Sequence, residues 1–179
     1  MASITIVSGG LGTGKTTLSK ALAQATPAGL HFIADTFYQF PAHPLDPTTP
    51  ESRAQNTTIM KAIGRATAAF VEGGYDVFLD GVVGPWFLPT LLHEWEAVAR
   101  VAYVILQTTL EEALARVLRR DGPESSRRVD AMHKAFAAVE GYTKHCIDTT
   151  GRSIEEVHAE YIERHHRGEF WLDPRVLAP

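Results

Sequence analysis

Apolar positions along this chain fall into two periods that alternate. Ile4-Thr5-Ile6-Val7 is a short β-rich run, and Leu18, Ala21, Leu22 and Ala25 follow at helical spacing. Gly29 breaks that pattern, and Leu30-His31-Phe32-Ile33-Ala34 reads as a second strand ending at Asp35. Thr49-Pro50-Glu51 opens a helix, with Thr at the N-cap and Pro at the first helical position. Its predicted buried stripe is Ile59, Ala62, Ile63, Ala66 and Phe70, and Gly73-Gly74 stops it. Tyr75-Asp76-Val77-Phe78-Leu79 is a third strand that delivers Asp80-Gly81 at its end, and a short helix runs on through about Val98. Val101 to Leu106 is a continuous apolar run, as suits a strand buried on both faces.

Thr109 and Glu112 form a capping box for a helix whose stripe is Leu110, Ala113, Leu114, Val117 and Leu118. A further helix is predicted from about Val129 to Tyr142, then a weak strand over Lys144 to Ile147 that leads into Asp148-Thr149-Thr150-Gly151. Ser153 and Glu156 make a second capping box ahead of Ile154, Val157, Tyr161 and Ile162. From Gly168 onward the pattern predicts a loosely tied tail. Strands alternating with helices imply an α/β fold: a parallel sheet, right-handed crossovers and helices on both faces. Ligands in such folds bind at the C-terminal ends of the strands, where Asp35, Asp80 and Thr149 fall.

Between the first strand and first helix stands Gly9-Gly10-Leu11-Gly12-Thr13-Gly14-Lys15-Thr16-Thr17. Gly9, Gly14, Lys15 and Thr16 satisfy the eight-position phosphate-loop pattern, in the strand–loop–helix context it requires. The glycines let backbone N–H groups converge on an anion at the helix N-terminus. Lys15 is then placed to reach the β/γ-phosphates, and the Thr16 hydroxyl to sit on Mg²⁺. A dinucleotide fingerprint would need its third glycine at Lys15, so Asp35 is not read as a ribose-binding acid.

Composition narrows the setting. The 179 residues are read as one domain, with 45% hydrophobic residues and a net charge of −4. That charge gives no reason to expect nucleic acid or a membrane surface as a partner. The single Cys146 rules out an internal disulfide framework and fits a reducing compartment. No apolar run approaches the roughly 20 residues of a membrane span, and no basic region precedes the first apolar run. These features predict a cytoplasmic protein.

Asp80 follows an apolar strand, the place of an acid that holds Mg²⁺ directly or through water. Asp35 ends the neighbouring strand, where a carboxylate can take a proton from an acceptor hydroxyl in line with the γ-phosphate. Each could instead cap a turn, and the two roles could be exchanged. Five arginines, at 116, 119, 120, 127 and 128, flank a Gly-Pro-Ser loop. They predict a lid over residues 116–130 whose arginines close on the transferring group. Thr36 to Pro50 holds four prolines and three aromatics, and Phe37, Tyr38, Phe40, Trp86 and Phe87 predict a partly apolar acceptor pocket. His145, His158, His165 and His166 show no metal-ligand spacing.

The phosphate loop, the Asp35 strand end, Leu79-Asp80-Gly81, the arginine-rich segment and Asp148-Thr149-Thr150-Gly151 together resemble the small P-loop kinases. That group includes adenylate, shikimate and gluconate kinases and chloramphenicol phosphotransferase, and the resemblance spans about residues 3–165. Asp35-Thr36-Phe37-Tyr38 and Leu79-Asp80-Gly81-Val82-Val83 look closest to bacterial ATP-binding proteins grouped near chloramphenicol phosphotransferase and gluconate kinase. The resemblance implies a P-loop NTPase three-layer sandwich with a five-stranded parallel sheet of order 2-3-1-4-5 and a small helical lid. It also implies ATP as donor, Mg²⁺, a small-molecule hydroxyl as acceptor and Asp35 as base. Adenine would lie between Arg119 or Arg120 and Thr150-Gly151-Arg152. Arg116 joins the nucleotide-binding set.

Two departures shape the acceptor. Val82-Val83 follows Asp80-Gly81 where adenylate kinases carry an aromatic, a proline and an arginine, so a nucleoside monophosphate is not implied. The glycine triplet of shikimate kinases is also missing there. The sequence therefore predicts an ATP-dependent small-molecule kinase, monomeric or weakly dimeric. Its rivals are a zeta-toxin-like kinase of an activated sugar and a nucleotide-dependent switch or accessory ATPase.

Overall fold

In the computed structural model, the described residues are 2–96, 99–126 and 128–173. Five strands form one all-parallel sheet: β1 (Ser3–Gly9), β2 (Gly29–Ile33), β3 (Asp76–Asp80), β4 (Arg100–Gln107) and β5 (Cys146–Asp148). Their spatial order is 2-3-1-4-5, so the chain crosses over β1 between its third and fourth strands. The helices are α1 (Lys15–Ala25), α2 (Arg53–Glu72), α3 (Leu88–Trp95), α4 (Leu110–Asp121), α5 (Pro123–Ser126), α6 (Val129–Ala137) and α7 (Ile154–His166).

The sheet is buried on both faces because its strands alternate apolar side chains between two layers. Ile4, Ile6, Val77, Leu79, Val101, Tyr103 and Ile105 pack under α2, α3 and Phe136 of α6. Val7, Phe78, Ala102, Val104 and Leu106 face the other way, onto Leu18 and Leu22 of α1 and Val157 and Tyr161 of α7. A smaller cluster of Ala113, Val117 and Val129, with Leu11, Leu110 and Leu114 against it, seats α4 and α6 beside the phosphate loop.

Three local expectations change. The buried face of α2 is Ile59, Met60, Ile63, Gly64, Thr67 and Val71, while Phe70 is exposed. Gly64 takes the centre because Glu94 of α3 crosses there, 2.9 Å from where a Cβ would lie. Thr67 is tolerated because its hydroxyl donates to the carbonyls of Ile63 and Gly64 and accepts from Trp95 Nε1. The predicted tail is instead anchored. Phe170 is fully buried, Tyr103 N donates to Phe170 O at 2.8 Å, and Leu172 N donates to Val101 O at 2.9 Å. Since β5 pairs only with Ile105 to Gln107, this segment covers the rest of the outer edge of β4. Finally, α6 stops at Ala137, and residues 143–145 form a 3₁₀ turn before β5.

No helix among the described residues is long and apolar enough to cross a membrane.

Candidate active site

Parallel register brings the candidate acids to the phosphate loop. Val7 lies opposite Asp80, and Asp80 lies opposite Ile33. Two residues past Val7 the loop begins at Gly9, and two residues past Ile33 stands Asp35, in a 3₁₀ turn over Ala34–Gln39. Three neighbouring strand ends thus carry the loop and both carboxylates.

Gly12 has φ of 78°, and a Cβ there would come within 2.6 Å of the Ala113 carbonyl, so only glycine lets the loop lie against α4. Gly14 caps α1 in the left-handed region without a capping side chain, which leaves the first-turn N–H groups to an incoming anion. Thr13 is buried and donates to Gly10 O at 2.9 Å, whereas Thr16 and Thr17 are exposed on the first turn of α1. Lys15 is 7% exposed, and its Nζ donates to Gly10 O at 2.8 Å. Burial lowers its pKa, against the opposing pull of Asp35 and then Asp80, while Arg120 adds to the lowering. The ammonium therefore sits within electrostatic reach of both acids and one arginine of α4.

Asp80 is 3% exposed, with Oδ2 3.2 Å from Nε2 of His31 on the adjacent strand. Asp35 Oδ1 accepts from Val82 N at 3.3 Å. Gly81 permits that approach, since a Cβ there would lie 2.8 Å from Ala34 Cβ and 3.2 Å from Asp35 Oδ1. The residue is exposed to a cavity, but protein atoms crowd its carboxyl on the remaining sides. That desolvation raises its pKa, Lys15 and the Val82 N–H oppose the rise, and Asp80 adds to it. Nearby, burial and then Asp35 push the Tyr38 hydroxyl up to about 12. The chain after Asp80 is pinned through Val83: Ser8 Oγ and Tyr103 OH both donate to its carbonyl at 2.7 Å, and its N–H donates to Ser8 Oγ.

The predicted arginines take different places. Arg116 donates to Gly12 O at 3.1 Å and to Thr149 O at 3.1 Å, and it pairs with Glu112. It therefore joins the phosphate loop to the segment after β5. Glu112 completes only half a capping box. Its N–H donates to Thr109 Oγ1, but its carboxylate accepts from Gly151 N at 3.0 Å and from Thr108 Oγ1. Thr150 Oγ1 in turn accepts from Thr109 N at 3.2 Å. Arg119 is exposed, and Arg120 is held by its neighbour Asp121. Arg152 bonds Asp148 O, Glu156 O and Glu160, which commits its guanidinium to α7. Arg127 lies outside the described residues, and Arg128 pairs with Asp46 at 3.6 Å.

A cavity of about 1140 Å³ begins at Asp35 and Leu11. Of the five aromatics predicted to line an acceptor pocket, Tyr38, Trp86 and Phe87 do so. Phe37 and Phe40 do not; their rings pack against each other, tilted, with centroids 4.9 Å apart, and Phe40 is 71% exposed. His31, Arg53, Asn56, Met132 and Phe136 were not singled out by the sequence. Only the alternation that turns His31 toward Asp80 could have signalled the first, and the rest become neighbours through tertiary packing alone.

The residues present fit a nucleotide and Mg²⁺. Among the described residues no three His, Cys, Asp or Glu side chains form a metal cluster. Mg²⁺ in phosphoryl-transfer sites asks for less: one or two protein oxygens together with the phosphates. Asp80 and Thr16 could supply them.

The sequence comparison agrees with this frame. A family model described as an AAA domain matches residues 5–137. Among curated proteins none matches the sequence. A sugar kinase from Janibacter sp. HTCC2649 is similar in structure, with a TM-score of 0.69 and 19% identity over 93% of this chain and 95% of that one. A gluconokinase from Sinorhizobium meliloti 1021 is similar with a TM-score of 0.69 and 18% identity over 94% and 93%. The tunicamycin resistance protein of Deinococcus radiodurans follows with 0.65 and 21% over 97% and 100%. The chain therefore belongs to the AAA-domain family matched over residues 5–137, and its fold is that of the small P-loop kinases.

Proposed function

We propose that this protein is an ATP-dependent phosphotransferase that phosphorylates a hydroxyl of a small molecule. One observation carries the reading: Asp35 belongs to two places at once. It interacts electrostatically with Lys15 of the phosphate loop, and it lines the cavity next to that loop. That pairing of positions supports a role for Asp35 as a base between donor and acceptor. The likeness of the fold to a sugar kinase and a gluconokinase supports the same class of reaction.

In this reading the loop amides and Lys15 hold the β/γ-phosphates. Lys15 leaves Gly10 O to do so, since its one bond in the loop is to that carbonyl. Asp35 accepts the proton of the acceptor hydroxyl. The freed oxygen attacks the γ-phosphorus, the bond to the β-phosphate oxygen breaks, and ADP departs with that electron pair. Asp80 and Thr16 would hold Mg²⁺, which when bound would offset the charge on the phosphates. Arg120 swings from Asp121 toward the transferring group, and Arg116 keeps the loop in register with Thr149.

The test is acceptor-dependent ADP release. Purified protein is incubated with Mg·ATP and panels of sugars, sugar acids, and aminoglycoside- and chloramphenicol-type alcohols, and phosphorylated product is sought by mass spectrometry. A tenfold or greater stimulation with one hydroxyl compound, and its phosphate ester in the product, is the expected result. Slow hydrolysis that no acceptor stimulates would instead support a nucleotide-dependent switch. Stimulation confined to nucleotide-activated sugars would move the reading to a zeta-toxin-like kinase.

A further inference from the structure

The cavity beside Asp35 has two kinds of wall. Arg53, Asn56 and Thr57 stand at i, i+3 and i+4 on α2 and share one polar face of that helix. Trp86 and Phe87 follow β3, Met132 and Phe136 belong to α6, and these four supply apolar surface. The Trp86 ring lies 6.0 Å from that of Phe136 yet remains 53% exposed. A half-bare indole on a cavity wall is surface that a ligand can cover. The volume, about 1140 Å³, is somewhat larger than the range of about 300–1,000 Å³ typical of sites for drug-sized ligands.

Asn56 makes the polar wall specific. It is 7% exposed, and its Nδ2 donates to Pro47 O at 2.9 Å and to Ser52 Oγ at 3.0 Å. Those two bonds fix which end of the amide is which. Its Oδ1 is buried without a partner, a state shared among the described side-chain atoms only by Ser19 Oγ, and Ser19 does not line the cavity. Buried acceptors are nearly always paired. Oδ1 is closed to water in this conformation, and Pro47, which accepts from the same amide, lies in the Pro44–Thr49 segment that lines the cavity; a donor could reach Oδ1 only with a local shift there.

We infer that the acceptor is amphipathic, with an apolar and preferably aromatic portion against Trp86 and Phe136 and a polar portion whose hydroxyl or N–H donates to Asn56 Oδ1. The inference rests on the kinase reading of this site. A bare sugar or sugar acid leaves the apolar wall wet, and benzyl alcohol has one hydroxyl, which cannot serve Asp35 and Asn56 at once. Neither uses both walls.

The test is a binding measurement, made on the full chain with Mg·ADP present and read by calorimetry and by tryptophan fluorescence. The probes are 4-nitrophenyl glucoside, 4-nitrophenyl N-acetylglucosaminide, glucose, gluconate and benzyl alcohol. At least one aryl glycoside should bind ten times or more tighter than each of the three simple compounds. Trp86→Ala should reduce that glycoside to the level of glucose. Asn56→Leu should weaken it about tenfold while ADP affinity holds, measured where the variant is fully folded because the substitution also removes the bonds to Pro47 O and Ser52 Oγ, and Asn56→Asp, which keeps an acceptor oxygen, should recover part of the loss. Glucose or gluconate binding as tightly as the aryl glycosides would overturn the inference. So would the absence of binding by both glycosides, or tight glycoside binding untouched by both Trp86→Ala and Asn56→Leu. A glycoside that binds in this pattern, while neither it nor any compound of the acceptor panel is phosphorylated, would sink the kinase reading and leave the amphipathic site standing. Phosphorylation of gluconate without glycoside binding would do the reverse.

Discussion

Arg120 is held by the residue beside it: its Nε and Nη2 donate to the two carboxylate oxygens of Asp121 at 2.7 and 2.6 Å. The pair is largely solvated, with side-chain exposures of 60% and 31%, so solvent screens it and it holds Arg120 only weakly. Yet the charge of Arg120 already influences Lys15 and Asp80. A weak surface pair next to a charged cleft is a resting place that an incoming triphosphate can empty. Asp121→Asn should therefore raise kcat/KM for ATP by about two- to fivefold, the worth of such a pair. Arg120→Ala should lower it by about 10²–10³-fold, in line with a cation that meets transition-state charge. Steady-state kinetics on both variants decides; Arg120→Ala with wild-type kinetics would return this arginine to the solvated face of α4.

Lys15 presents the opposite balance, a buried cation whose Nζ contacts a carbonyl of its own loop. Lys15→Ala should abolish phosphoryl transfer, a loss of at least about 10³-fold, because fixed positive charge at the γ-phosphate has no substitute in the loop. Circular dichroism should show an intact fold. A loss of only a few-fold, with ATP still bound, would remove Lys15 from the phosphate site.

How much of this could be read in the sequence depended on the distance over which each signal acts. The strands, the phosphate loop and the Ser153 cap were legible because each is specified within a few residues. The sheet order came from resemblance to known kinases, since no local pattern encodes which strand lies beside which. The α2 stripe was misplaced because Gly64 and Thr67 are poor apolar residues, and only Glu94 and Trp95 across the helix pair make them buried ones. Phe170 and Trp171 gave no periodic signal; what holds them is the uncovered edge of β4. Arg152 and Arg120 look alike in sequence, yet one is bonded along α7 and the other stands near the cleft.

That anchored segment carries a stability prediction independent of any chemistry. Phe170 is fully buried and stacks on Tyr161 with centroids 5.5 Å apart. Phe170→Ala should destabilise the fold by about 3–5 kcal/mol in a denaturant titration, the usual cost of deleting a core ring. Nucleotide affinity, measured where the variant is fully folded, should stay unchanged. A cost below 1 kcal/mol would mean that residues 168–172 are the loose tail the pattern first suggested.

Arg116 should behave as a positioning residue. Its bonds go to Gly12 O and Thr149 O, so its loss frees the phosphate loop from the segment after β5. Arg116→Ala should raise KM for ATP about tenfold or more, while Arg152→Ala, bonded within α7 and its approach, should lower thermal stability and leave that KM within twofold. The reverse pattern would exchange their roles.

Asp35 and Asp80 are separable by metal and by pH. As the base, Asp35 must be ionised when the acceptor arrives. Its pKa is raised, chiefly by desolvation, so activity should fall as pH drops through a value above the usual carboxylate range. The same shift acts on folding with a definite sign. A carboxyl that holds its proton longer when folded makes the native state bind more protons than the unfolded one over that interval, so its contribution to stability declines as pH rises through it. Asp35→Asn should then remove the acidic limb of the pH–rate profile, flatten that decline, and cut acceptor-dependent transfer by about 10²–10⁴-fold with Mg·ATP binding retained. Asp80→Asn, at the buried strand end beside His31, should instead raise the Mg²⁺ concentration needed for half-maximal rate. Titrating Mg²⁺ against both variants distinguishes them. Rescue of Asp35→Asn by excess metal would transfer Asp35 to the metal site, and normal turnover in that variant would take it out of the reaction.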